Sequence, residues 1–212
     1  MKLENRSAFL WSAINNLSKL FFSLLAPIIL ARILGPEAFG IIALAYILVG
    51  LSQIFIDFGT TEAIVKSKNI SSKFLSSLFF FNLAICVFVY ILLLIFTPFV
   101  SEYFNKEELN TIIPLLSTGI FFQFLGIIPS SLFKREKNFL ALTKADFFSR
   151  LISSIIAIIS ALYGAGVYAL IIMSLSQSML YSIFLILLSK WRLKLYFNLL
   201  HVKMVFSFTA SL

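Results

Sequence analysis

The run from Phe74 to Val100 reads FLSSLFFFNLAICVFVYILLLIFTPFV and carries no charged residue. It exceeds the roughly 20 helical residues that cross a bilayer core. It lacks the sustained polar–apolar alternation that a barrel strand shows over ~10 residues. Backbone groups find no partners in hydrocarbon, so a spanning run of this kind is a helix. Outward from it lie five more apolar stretches, at 8–34, 37–57, 109–132, 142–163 and 167–189. The sequence thus predicts an all-α polytopic membrane protein with six transmembrane helices.

Composition agrees. The chain is 60% hydrophobic, with 25 Phe and 12% charged residues, against ~25% charged in a soluble domain. Its mean hydropathy is +1.02. Lys2 and Arg6 precede the first apolar run as in a signal peptide. That run is too long and too polar in its middle, and no small-x-small cleavage site follows, so it reads as a retained span. One cysteine, Cys86, excludes an intramolecular disulfide. With one histidine, His201, no histidine cluster can hold a metal. No cofactor and no metal are expected.

The separators punctuate the spans. Gly35-Pro36-Glu37 divides the first from the second, where proline in a first helical turn costs little. Thr60–Lys73 is polar and basic, Ser101–Glu108 polar and acidic, Lys134–Asn138 a charge cluster, and Gly164-Ala165-Gly166 an uncharged break. With the N-terminus in the cytoplasm, alternation of six helices places fourteen of the 17 basic residues inside. Only Arg32 and Lys106 fall outside, and Lys19 lies within the membrane. This bias predicts a cytoplasmic N-terminus in a multi-pass cell-membrane protein. Basic groups beside anionic lipid account for the net charge of +8. Nucleic acid need not be a partner.

Polar residues inside the spans recur at helical spacing. The first span gives Ser12, Asn16, Lys19 and Ser23. The second gives Tyr46, Gly50, Gln53 and Asp57. The fifth gives Asp146, Arg150, Ser153 and Ser160, with Ala157 between, and the sixth Ser174, Gln177 and Tyr181. Each set shares one helix face, and a polar face turns toward other helices or a watery cavity rather than lipid. Two readings stand for the serines: close helix packing or cavity lining. Asp146 and Arg150 form either an interfacial i,i+4 pair or part of the cavity. Asp57 stands at a helix end and is either solvated or a cavity group. Asn82 and Cys86 read as packing residues. Lys19 lies about 12 Å inward of Trp11, which strains the reach of a snorkelling lysine. An ammonium at that depth costs at least ~2.5 kcal/mol, so it points to a hydrated cavity, a snorkelling stem, or a pair with Asp57.

Four stretches add a resemblance. Leu30-Ala31-Arg32-Ile33-Leu34-Gly35-Pro36-Glu37-Ala38-Phe39-Gly40-Ile41-Ile42-Ala43-Leu44-Ala45 and Phe55-Ile56-Asp57-Phe58-Gly59-Thr60-Thr61-Glu62-Ala63-Ile64-Val65 resemble the corresponding stretches of polysaccharide flippases. So do Lys134-Arg135-Glu136-Lys137-Asn138-Phe139 and Tyr163-Gly164-Ala165-Gly166-Val167-Tyr168-Ala169-Leu170. The chain is similar to Wzx-type exporters of lipid-linked oligosaccharides in the MOP superfamily, which also holds MATE exporters and MurJ. The resemblance implies a MATE/MurJ-like transporter of two six-helix lobes around a central cavity. On that basis residues 1–189 form the N-terminal lobe, 190–203 a cytoplasmic interfacial connector, and 204–212 the start of a seventh helix. The chain is then a truncated product or a fragment, paired with a C-terminal lobe or a second copy.

The implied function is movement of an undecaprenyl-diphosphate-linked oligosaccharide from the inner to the outer leaflet by alternating access, for polysaccharide or O-antigen biosynthesis. Its partners are that substrate and membrane lipids. Lys19 and Arg150 are the expected phosphate contacts, with Asn16, Tyr46 and Gln53 bonding sugar or phosphate oxygens. Asp57 and Asp146 are the candidates for ion coupling. The rival readings are a MATE-like exporter of small cations and a non-functional membrane remnant. Without clustered carboxylates or a histidine base, an enzyme is not expected.

Overall fold

In the computed structural model, the backbone is described for residues 2–57, 59–67 and 70–198, and side chains from Leu25 onward within these, Ile54 excepted. The described residues form seven helices in order: α1 Lys2–Asp57, α2 Thr60–Lys66, α3 Ser72–Phe104, α4 Leu109–Ser117, α5 Gly119–Arg135, α6 Phe139–Leu162 and α7 Tyr168–Leu188. Five stretches are long and apolar enough to cross a membrane: 25–66, 72–104, 109–135, 139–162 and 168–188. The protein is all-helical and multi-pass, as its sequence predicts.

The breaks fall where the separators stand. Within α1 the helix is interrupted at Gly35, whose backbone sits at φ 79 and ψ 171. A side chain resists that conformation, and Pro36 restarts the helix at low cost. The two expected spans on either side of Gly35 are thus two helical segments of α1. The side chains of Ser12, Asn16, Lys19 and Ser23 lie outside the described residues, as does His201.

Two local features depart from the sequence reading. The Thr60–Lys73 separator contains a short helix, α2, set off from α1 by Gly59. The expected fourth span is two helices, α4 and α5, meeting at Thr118.

The two ends of the bundle differ in charge. At one end Lys106 meets Glu37 at 3.2 Å, joining the Gly35 break to the α3–α4 loop. At the other, the Arg135 guanidinium donates to the carbonyls of Ile64 (2.8 Å) and Ser67, closing the end of α2. The chain after α7 folds back onto the start of α3 at that same end. The described residues of the basic segments, 60–67, 70–73, 134–138 and 190–198, therefore gather at one end.

Between the ends, Leu30, Ile41, Ala45 and Val49 of α1 pack with Ile113 of α4, Ala157 of α6 and Leu170 of α7. A second cluster joins Ile56 to Cys86, Val89, Ile120 and Phe124. Cys86 and Asn82 are buried, in line with a packing role. Asn82 accepts a 3.0 Å hydrogen bond from the Thr60 hydroxyl.

Candidate functional site: a polar cavity within the bundle

α5 and α7 approach closely because small residues face each other. A Cβ on Gly126 would stand 2.7 Å from the Ser182 Oγ. The Ser182 hydroxyl in turn donates to the Phe122 carbonyl across the helix pair. This seam anchors one wall of a cavity of about 570 Å³. Its polar lining comes from every element around it: Gln53 and Asp57 of α1, Thr61 of α2, Gln123 and Ser130 of α5, Asp146 and Arg150 of α6, and Ser174, Gln177 and Tyr181 of α7. Lys134, exposed, adds a cation from the last turn of α5, at the basic end of the bundle.

The charged groups are held by neighbours. Arg150 Nε donates to Asp146 Oδ1 at 3.0 Å, and both side chains are largely withdrawn from solvent, at 32% and 17% exposure. That bond uses one of the guanidinium's several N–H donors. Asp57 Oδ1 accepts the Thr61 backbone N–H at 2.9 Å, capping the first turn of α2 after the break. The Thr61 hydroxyl continues to Ser131 at 2.9 Å.

The hydroxyls are oriented by their own helices. Ser130 donates to the Ile127 carbonyl at 2.8 Å and Ser178 to the Leu175 carbonyl at 3.0 Å. A serine so engaged keeps its lone pairs as acceptors. The amides of Gln53, Gln123 and Gln177 supply both donors and acceptors. The cavity thus offers mixed hydrogen-bonding capacity with two cations and two carboxylates.

Most of the sequence-derived site converges here. Gln53, Asp57, Asp146 and Arg150 all line the cavity, and so do Ser174, Gln177 and Tyr181 of the α7 stripe. Tyr46 does not line it, although its side chain lies beside Ser174, which does. Ser153 is buried in helix packing, bonded to the Arg150 carbonyl at 3.0 Å. Ser160 is bonded to the Ile156 carbonyl at 2.8 Å, away from the cavity. Lys19 and Asn16 lie outside the described side chains. The contribution of α5 was missed. Gln123, Ser130 and Lys134, with Gly126 and Ile127 between, follow the same helical period, and that spacing could have found them.

Comparison with known proteins places the chain. Residues 29–212 match the family described as Polysaccharide biosynthesis protein. The chain belongs to this family. An uncharacterized membrane protein in the cps region of Klebsiella pneumoniae is 28% identical over 151 residues, covering 71% of this chain and 31% of that protein. The succinoglycan biosynthesis transport protein ExoT of Rhizobium meliloti is 28% identical over 161 residues, 76% of this chain and 33% of ExoT. The lipopolysaccharide biosynthesis protein WzxC of Escherichia coli is 26% identical over 107 residues, 50% of this chain and 22% of WzxC. The chain spans no more than about a third of the length of these curated relatives. Family membership agrees with the Wzx-type resemblance of the four stretches. No solved structure matches the chain.

Proposed function

We propose that this chain is the first lobe of a flippase that moves an undecaprenyl-diphosphate-linked oligosaccharide across the membrane, and not an enzyme. The observation that carries the reading is the polar cavity enclosed by α1, α5, α6 and α7 inside a bundle of membrane-spanning helices. A sugar head group needs hydrated, hydrogen-bonding walls to cross the bilayer core, and its diphosphate needs cations. Gln53, Gln123 and Gln177 supply the first, and Arg150 and Lys134 the second. The lipid tail stays in the bilayer against the apolar outer surface. Residues 1–189 act as one lobe and rock against a second, joined through 190–203 and a seventh helix from 204. The N-terminus faces the cytoplasm, which puts the basic end of the bundle, with Lys134, where the substrate is loaded.

Lys19 and Asn16 remain assigned to the phosphate and sugar on the depth of their span, and Tyr46 acts through Ser174. Asp57 and Asp146 are the coupling carboxylates. Both already hold partners, Asp57 the α2 backbone and Asp146 the Arg150 side chain. This pairing favours an anionic-lipid exporter over a MATE-like exporter of cations, which would leave acidic groups for its cargo. The test replaces Arg150 and Gln177 together, R150Q/Q177L, in the complete two-lobe protein and reads surface polysaccharide against membrane protein level. Loss of surface glycan at unchanged protein level is expected. Normal glycan with both groups removed would take the cavity out of the transport path.

A further inference from the structure

Behind α7 the chain leaves the helix at Leu188 and runs without helix or strand through residues 189–198. The sequence Lys190-Trp191-Arg192-Leu193-Lys194-Leu195-Tyr196-Phe197-Asn198 alternates basic or polar residues with apolar ones and contains no acidic residue.

This strap is fastened to the bundle. Trp191 packs against the cluster of Ile64, Phe74, Leu75 and Leu78, its ring 6.0 Å from Phe79. The backbone N–H of Lys194 donates to Ser76 Oγ at 3.0 Å, and that of Asn198 to Ser77 Oγ at 3.1 Å; both serines are fully buried in the first turns of α3. Lys73 Nζ sits 5.2 Å over the Tyr196 ring. Against this firm attachment, the outward side is apolar. A tight turn, closed by Tyr196 N–H on the Lys194 carbonyl at 2.8 Å, places Leu195 at its tip, 93% exposed. Leu193 and Phe197 flank it, also exposed.

We propose that residues 190–198 are a bilayer-surface anchor whose basic side chains bind the headgroup of an anionic phospholipid while Leu193, Leu195 and Phe197 enter the acyl boundary. Three features of the strap and its surroundings select that occupant. The strap starts two residues after a membrane-spanning helix ends, so it lies at the depth of the headgroups. Lys190, Arg192 and Lys194 are exposed, and among the described residues none of them pairs with a carboxylate. Lys66, Lys73 and Lys134 stand at the same end of the bundle. Glu62, the nearby acid on α2, is engaged with Lys66 at 3.5 Å. Apolar side chains held at an interface beside cations that lack a carboxylate partner, Arg192 donating only to the Ser189 and Trp191 carbonyls, match a negatively charged lipid surface, where each basic residue contributes about 1 kcal/mol.

The anchor is independent of what the protein transports, and its test measures no transport. The full chain, with Cys86→Ser and Leu195→Cys carrying an environment-sensitive fluorophore, is placed in nanodiscs of phosphatidylcholine mixed with phosphatidylglycerol. Leu195 is exposed, so the label does not disturb packing. Spin-labelled phosphatidylglycerol is expected to quench the fluorophore more than spin-labelled phosphatidylcholine at equal content. The lipid preference should fall roughly fivefold per basic residue removed and vanish in K190Q/R192Q/K194Q. Equal quenching by both lipids overturns the headgroup site. Quenching by aqueous iodide places the strap in water and overturns the anchor. Protection from iodide and lipid alike means that another protein segment covers the strap, which overturns it as well.

Discussion

The second helical segment of α1 separates two spaces of similar size and opposite chemistry. On one side Gln53, Ile56 and Asp57 face the polar cavity of about 570 Å³. On the other, Leu48, Leu51, Ser52 and Phe55 line a groove of about 600 Å³ shared with Phe81, Phe88, Leu92 and Phe96 of α3. Its one polar residue, Ser52, returns its hydroxyl to the Val49 carbonyl of its own helix. The groove therefore asks nothing of water, whereas the cavity cannot be filled by an acyl chain without stranding amides and an ion pair. Neighbouring positions, 52 and 53 or 55 and 56, belong to different solvents because successive helical residues are about 100° apart.

The sharpest way to break this contrast is a matched pair of lysines. Phe88→Lys puts a charge on the apolar groove and is expected to cost about 2.5–3.5 kcal/mol of insertion, read as a lower fraction of glycosylation-mapped inserted chains. Gln177→Lys, in the cavity, should insert like the parent; equal insertion of the two would erase the difference between the faces.

Next in size is the Arg150–Asp146 pair. Arg150→Leu removes a charge-assisted hydrogen bond worth about 1.5–3 kcal/mol and a cation of the cavity lining, so both protein level and export by the complete protein should drop. Restoration of protein level but not export by a second change, Asp146→Asn, would separate stability from transport. If R150L exports normally, the pair is structural only.

Gly126→Ala tests what holds the cavity wall. Its new Cβ would crowd Ser182, and overpacking of this kind costs about 1–3 kcal/mol, seen as a lower melting temperature in detergent. A companion Ser182→Ala should recover part of the loss, and an unchanged melting point in G126A would show that the α5–α7 seam has slack.

The smallest effect is one of access. In a Cys86→Ala background, Gln53→Cys should react with a membrane-impermeant thiol reagent faster than Phe55→Cys. Comparable rates would mean that water reaches both faces or neither.

Much of this arrangement was legible beforehand. Long uncharged runs, and the Gly35-Pro36 and Gly164-Ala165-Gly166 breaks, gave helix extents to within a few residues. The α6 and α7 stripes put Asp146, Arg150, Gln177 and Tyr181 on faces that line the cavity. The α5 wall escaped because Gln123 and Ser130 sit among Phe, Leu and Ile with Gly126 at the intervening turn, so the polar period is thin. Tyr46 shared a stripe with Gln53 and yet does not line the cavity, lying beside Ser174, which does. The attachment of 190–198 also had no local signal, since Ser76 and Ser77 lie more than a hundred residues away from their partners.

By itself the sequence determined which long stretches are membrane-spanning helices and, for α6 and α7, which angular face is polar. Both are local consequences of hydrocarbon solvation and of 3.6 residues per turn. Only the tertiary structure decided which faces meet. That depends on how closely two helices can approach, as at Gly126 and Ser182, and on contacts between residues far apart in the chain, which no single helix encodes.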